Sequence, residues 1–531
     1  MRAGREGGLI RVSAFLVGLA AALPFAYLLW RVADFGLQST VNTIVSTRTA
    51  GLVARTVGLA CAVTAASIVI SVPVAWLTVR TDLPLSRVWT ILTALPLAIP
   101  TYVGSWAMIG AFGPRGMVQE WLEPLGVERI PGIYGFGGAF IVLTLFSYPY
   151  VLITVRAAWR RIDPALEEAS RTLGRTPFRT FAEVVLPQLR PAIVAGGLLV
   201  ALYTMSDFGA VSMLRYDTLT RAIFVQYRGA LNRGSAAALG LVLVGLTASV
   251  LSVEQRARHS DLHRLHGSGA RTATPVSLGR WRAPALVGLG TLVTLALVVP
   301  LAVIAFWLRR GLSAGEPVWP GFDLIIDSLT GSLIGASATV LLALPVGIVI
   351  VRRPGRLAKL VEQLSWSGYA LPGVVVALAL VFFGAQHFTW AYQTLGMLVF
   401  AYAVLFLPQA VGAIRASLNQ ITPSLEESAR VLGASRSSAF RRVLLPLVRP
   451  GLGAGWLLVA LTAMKELPAT LLLAPTGFAT LATRVWNATA ENFMARAAGA
   501  ALALVLVASV PTAVLIAIEE RRRSKGHTGT E

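Results

Sequence analysis

Three ionisable residues stand inside long apolar runs: Asp207, and the adjacent pair Lys465 and Glu466. A charge at the centre of an apolar span costs about 3 kcal/mol or more unless it is paired or hydrated, so such residues are functional candidates by default. Asp207 and Glu466 are 259 positions apart, and Tyr148, Tyr150 and Tyr203, in the same part of the chain as Asp207, offer phenolic oxygens. Two readings stand for the carboxylates. They line a pathway through the molecule or its outer gate, or they are structural, with Glu466 neutralised by Lys465 or an arginine.

Other chemistry is poorly provided for. A phosphate-binding P-loop needs Gly-Lys-Ser/Thr, and the lysines are Lys359, Lys465 and Lys525, none of which follows a glycine. Cys61 is the single cysteine and lies in an apolar run, which excludes a disulfide framework, a zinc–thiolate site or an iron–sulfur cluster within one chain. His259, His263 and His266 cluster in a basic stretch rich in small and polar residues, so a solvated segment is expected and no stable metal site. No Ser-His-Asp arrangement or acid–base carboxylate pair stands out. No catalytic residue is assigned, and the chain is expected not to be an enzyme by itself.

The elements that must position these residues are membrane spans. Of the 531 residues, 55% are hydrophobic and 13% charged, too few charges to cover a soluble surface. Spanning the bilayer takes about 20 apolar residues per helix, and helices satisfy every backbone group internally. The chain predicts an all-α polytopic membrane protein with about twelve spans, near 9–30, 54–79, 88–111, 137–157, 192–213, 236–253, 285–307, 328–350, 366–385, 395–414, 451–473 and 497–518. Residues 9–30 lack a small-residue cleavage site and read as a retained first helix. Prolines interrupt several spans (Pro73, Pro96, Pro100, Pro149, Pro345, Pro372 and Pro408).

The net charge of +21 does not point to nucleic acid, because the basic residues sit in short groups between apolar runs rather than on a patch with interleaved aromatics. Most of the 46 lysines and arginines fall in alternate loops. By the positive-inside rule those loops and both termini are expected in the cytoplasm. Residues 254–282 are basic and rich in small polar residues, and read as a cytoplasmic linker between a first half, 1–253, and a second, 283–531.

An internal repeat joins the halves. The segment EEASRTLGRTPFRTFAEVVLPQLRP at 167–191 recurs as EESARVLGASRSSAFRRVLLPLVRP at 426–450. The same 259-residue offset carries Pro149 to Pro408, Arg156 to Arg415, Pro164 to Pro423 and Asp207 to Glu466. Pro164 and Pro423 suit the first position of a helix, with acids in the first turn where the helix dipole favours them. Gly174 and Gly433 allow a positive-φ turn into a second amphipathic stretch. The Leu-Pro pair is expected to close that stretch and redirect the chain into the next span. Each loop is therefore expected to be a short helix–turn–helix on the cytoplasmic face, shaped to dock into another protein.

Both copies match the pattern E-[AS]-[AS]-x₃-G-x₉-[IV]-x-L-P and so resemble the "EAA" loop of ABC importer permeases, in which a coupling helix inserts into a groove of the cytoplasmic ATPase. The second motif position is Ala169 in one copy and Ser428 in the other, a mild departure. The resemblance implies the type I importer permease fold, two homologous six-helix halves with loops at 161–190 and 420–449. It places Glu167, Glu168, Ala169, Gly174, Glu426, Glu427, Ser428 and Gly433 on the docking surface. LPLAIPTYVGSWAMIG at 95–110, YPYVLI at 148–153 and SDFGAVSMLRYDTLT at 206–220 are similar to ferric-iron importer permeases; thiamine permeases share the fused architecture.

What this implies is a multi-pass permease of the bacterial inner membrane, moving ferric iron by ATP-driven alternating access. Its partners would be a cytoplasmic ATPase, expected to be a homodimer because the two loops are alike, a periplasmic or lipid-anchored substrate-binding protein, and membrane lipid. ATP would bind the ATPase, with no cofactor on this chain. Since Fe³⁺ is a hard cation, oxygens of Asp207, Glu466, Tyr148 and Tyr203 would suit transient contact with it. Competing readings are an importer of thiamine or another small solute, and a twelve-helix secondary transporter. The latter offers no reason for two Glu-Gly-Leu-Pro loops.

Overall fold

A computed structural model describes residues 2–114, 116–127, 131–229, 233–261 and 274–509. Among them the regular elements are helices, with one isolated parallel bridge between Thr81 and Val276. Nine of these helices are long and apolar enough to cross a membrane, and two bent helix pairs raise the number to as many as eleven. A shorter apolar helix, Met494–Ser509, reaches the end of the described residues; the rest of the twelfth expected span lies outside them. The chain is a polytopic all-α membrane protein.

The prolines divide into two groups. Pro73, Pro149, Pro345 and Pro408 sit inside continuous helices. At the third and ninth spans the chain breaks: Ser86–Ala98 meets Thr101–Leu125 at 98°, and Arg356–Tyr369 meets Gly373–His387 at 102°. A proline ring disfavours the helical region for the residue before it. Ile99 (ψ 118) and Leu371 (ψ 108) are extended accordingly, ahead of Pro100 and Pro372.

The described residues form two compact units, and neither is continuous in the chain. One contains Val45–Ala222 and Gly245–Ser313, the other Met1–Ile44, Ile223–Val244 and Ala314–Glu531. The first span therefore belongs with the later spans: Gly18 lies against Leu364, and the Tyr27 hydroxyl donates to Gln386 at 2.8 Å. Reciprocally, the helices of 282–313 pack on the earlier spans, with Gly110 against Val303. Packing thus groups the first expected span of each half with the other set.

Within each unit the fourth or tenth span is central. Their most apolar windows are 72% and 67% buried by protein, against 33% for Thr47–Arg80 and for Ser437–Met464. Lipid tails supply no drive for helices to associate, so close backbone approach at small residues does. A Cβ at Gly196 would lie 2.8 Å from the Cα of Val151, and one at Gly455 would lie 3.6 Å from the Cα of Ala410. Both members of each contact are related by the 259-residue offset, so the repeat is a repeat of packing too.

Part of the linker is ordered against the first repeat. The Val276 N–H donates to the Arg80 carbonyl at 2.7 Å, the Asp82 N–H to the Val276 carbonyl at 3.1 Å, and the Leu278 N–H to Asp82 Oδ1 at 2.9 Å. His263 and His266 lie outside the described residues, as does the side chain of His259.

Candidate docking loops and buried carboxylates

The two loops fold alike, residue for residue. Helices start at the expected prolines, Pro164–Thr172 and Pro423–Val431, with Asp163 Oδ1 accepting from the Ala165 N–H in the first. Each ends with a glycine in the left-handed region, Gly174 at φ +79° and Gly433 at φ +88°. The Gly174 N–H donates to Arg171 O and the Arg175 N–H to Ser170 O; the Gly433 N–H donates to Arg430 O and the Ala434 N–H to Ala429 O. This is the paired-bond Schellman termination, which satisfies carbonyls the helix end would otherwise orphan.

The Leu-Pro pairs do not close the second stretch as expected. The helix passes through them into the membrane, as Pro177–Ser206 and Ser437–Met464. Just before each pair the helix widens to a π turn, Phe181–Val185 and Phe440–Leu444, so that the Leu186 and Leu445 N–H groups reach Phe181 O and Phe440 O. A wider turn removes the clash between a proline ring and the carbonyl one α-turn earlier.

The adjacent acids of each loop part company. Glu168, Ala169, Glu427, Ser428 and both glycines are exposed, whereas Glu167 and Glu426 are half-buried and face their own helices. Glu167 Oε1 lies 2.8 Å from Nη2 of buried Arg80, and Glu426 Oε1 lies 2.8 Å from Nε of Arg352. The same guanidinium groups donate to the Ile162 carbonyl at 3.1 Å and the Ile421 carbonyl at 2.9 Å. Large apolar side chains stand out from the loops: Leu173 is 80% exposed and Phe178 78%, Val431 86% and Leu432 87%. Exposed apolar side chains set among charged ones mark a surface that another protein or the membrane covers.

Asp207 and Glu466 are not in mid-helix. The fifth span ends at Ser206 and the eleventh at Met464, and short helices, Gly209–Met213 and Pro468–Leu473, follow. Each acid tethers that short helix. Asp207 Oδ1 accepts from the Ala210 and Val211 N–H groups at 2.9 and 3.3 Å, and Glu466 Oε1 from the Ala469 N–H at 2.9 Å. Their own carbonyls accept threonine hydroxyls, from Thr220 at 2.7 Å and Thr470 at 2.8 Å. Asp207 Oδ2 also takes the Thr101 hydroxyl at 2.6 Å, and the Tyr203 hydroxyl reaches Thr101 Oγ1 at 3.5 Å. Tyr148 is elsewhere: fully buried, it donates to the Thr93 carbonyl at 2.7 Å and ties the fourth span to the third.

Sequence reasoning passed over Arg80, Arg352, Thr101 and Thr220. A signal existed for the arginines, because Pro73 to Arg80 and Pro345 to Arg352 have the same spacing and related sequences. Those residues are 272 apart, so the 259-residue register of the loops steps over them.

Comparison with known proteins agrees with this geometry. The binding-protein-dependent transport system inner membrane component family matches twice, over residues 67–256 and 339–524, each match containing one of the repeated loops. An Fe(3+)-transport system permease protein of Haemophilus influenzae is 33% identical over 512 residues, 94% of this chain and 96% of that protein. A ferric transport system permease protein of Actinobacillus pleuropneumoniae is 26% identical over 387 residues, 68% of this chain and 56% of that protein. The sulfate transport system permease protein CysT of Escherichia coli is 34% identical over 137 residues, 26% of this chain and 48% of its own. With both copies of the family domain and both repeated loops on one polypeptide, this chain belongs to the binding-protein-dependent transport system inner membrane component family, the permeases of ABC importers.

Proposed function

We propose that this chain is the two-half permease of a ferric-iron importer, with both family domains on one polypeptide, and that it couples a cytoplasmic ATPase to a substrate-binding protein outside the membrane. The observation that carries the substrate is the 33% identity to an Fe(3+)-transport permease over 94% of the chain. The matched loops, with their exposed Leu173, Phe178, Val431 and Leu432, support two ATPase contacts of the same shape, and hence a homodimeric ATPase. ATP binds and is hydrolysed on that partner; the chain itself takes no cofactor. The bias of lysine and arginine puts the loops and both termini in the cytoplasm.

In this reading nucleotide-driven movement of the docking helices switches the membrane helices between outward- and inward-open arrangements. Asp207 and Glu466 act at the breaks of the fifth and eleventh spans. They hold the short helices in place there, and their oxygens meet the ion in transit when those helices move. Tyr203 belongs to the same group through Thr101, and Tyr148 serves packing.

The test is ATP hydrolysis by the permease–ATPase complex in lipid vesicles, titrated with binding protein that is ferric-loaded, thiamine-loaded or empty. Ferric-loaded protein should raise the rate above that with empty protein, and thiamine-loaded protein should not. Stimulation by a thiamine-loaded protein alone would keep the importer and reassign its cargo.

A further inference from the structure

The two acids at the start of each docking helix do different work, and the inner one meets a partner that nothing in the loop foretells. Arg80 is the last residue of the helix Thr47–Arg80, and Arg352 the last of Phe322–Arg352. These second spans are single helices of 34 and 31 residues, long enough to cross the bilayer with turns to spare. At its end each presents one guanidinium to two points on the loop. Ile162 and Ile421 lie before the proline that starts the docking helix, and Glu167 and Glu426 lie in its first turn. A planar guanidinium has five donors in fixed directions and can grip both points together; a lysine ammonium is a single charge on a flexible stem.

The arrangement occurs twice although the repeats differ in length between arginine and glutamate: 87 residues separate Arg80 from Glu167, whereas Arg352 and Glu426 are closer in sequence. Two routes of unequal length bring an arginine to the same pair of loop points, through Nη2 alone in the first repeat and through Nη2 and Nε in the second. Further arginines brace the central helices beside it. Arg156 donates to Thr90 Oγ1 at 2.9 Å, and Arg415 to Glu362 Oε1 at 2.6 Å. The outer acids, Glu168 and Glu427, stay exposed on the docking side.

We propose that Arg80 and Arg352 are positioning residues that make each docking helix move as one body with the second span of its own repeat, carrying displacement from the cytoplasmic face across the membrane. This rests on the reading of the loops as ATPase docking sites. It differs from it in one respect: the arginines and inner glutamates are not part of the docking contact.

The experiment uses the full chain with its ATPase in lipid, with Cys61→Ser and spin labels at Thr47→Cys and Phe322→Cys, exposed positions at the starts of the second spans. The label–label distance is measured with and without ATP. The parent complex should show an ATP-driven change in distance. The double variant Arg80→Lys/Arg352→Lys should still co-purify with the ATPase and hydrolyse ATP, but lose most of that change. The pair Glu167→Gln/Glu426→Gln, which keeps acceptor oxygens for the guanidinium, should fall between. Unchanged motion in the lysine variant overturns the proposal, as does a parent complex whose second spans do not respond to ATP. Loss of ATPase binding in the lysine variant also overturns it, because it would put the arginines in the docking contact. None of these readouts involves iron, so failure of the cargo assignment appears separately, in the hydrolysis titration.

Discussion

Asp207→Ala is expected to destabilise the purified chain by about 3 kcal/mol, since it strands buried donors, each worth roughly 1–3 kcal/mol when left unsatisfied. Those donors are the Ala210 and Val211 N–H groups and the Thr101 hydroxyl. Asp207→Asn separates structure from charge. An amide keeps an oxygen for the two N–H groups and presents an N–H to Thr101, which can accept it. Thermal unfolding in detergent should therefore show the alanine variant melting several degrees lower and the asparagine variant close to the parent. Uptake by the asparagine variant then reads the role of the charge. Parent-like uptake would make Asp207 a tether for the short helix and nothing more, while a folded variant that no longer transports would make the carboxylate part of the pathway. Glu466→Gln and Glu466→Ala should behave in the same order through the Ala469 N–H.

The second large effect concerns the loops. Leu173→Asp combined with Leu432→Asp should abolish binding of the ATPase while leaving the chain folded and in the membrane. Both leucines are more than three-quarters exposed, so neither supports the fold. Burying one leucine on a partner is worth about 2 kcal/mol. Two loops on one chain engage the ATPase as linked sites, so losing both should weaken binding by about three orders of magnitude. A single substitution should cost about thirtyfold. Co-purification of tagged permease with its ATPase, read against solubility and melting of the permease alone, checks this. Parent-like binding by the double variant would remove the loops from the interface.

What could be read from the sequence follows the distance over which each physical signal acts. Pro164, Pro423, Gly174 and Gly433 declare their roles locally, since proline opens helices and glycine ends them in the left-handed region. The matched loops and the apolar runs were legible for the same reason. The partnership of Arg80 with Glu167 spans 87 residues and follows a different register from the loops, so the loop repeat does not announce it. The π turns before Pro187 and Pro446 correct the expectation that Leu-Pro ends a helix. In that case the chain absorbed the proline by widening one turn. Asp207 and Glu466 were visible as charges in apolar runs. That both sit at breaks and cap short helices was hidden, because hydropathy runs smoothly across the break. Which bundle the first span joins is equally silent, since an apolar helix records that it is buried or lipid-facing and not by whom.

The most direct measurement is uptake of radiolabelled ferric iron into vesicles that hold this chain with its ATPase on the inner face, with ferric-loaded binding protein outside. ATP is supplied or withheld. Uptake should require ATP, ATPase and binding protein together, and should disappear with Leu173→Asp/Leu432→Asp. Uptake that proceeds without the ATPase on an ion gradient, or ATP-dependent vesicles that carry thiamine and leave iron outside, would contradict the account.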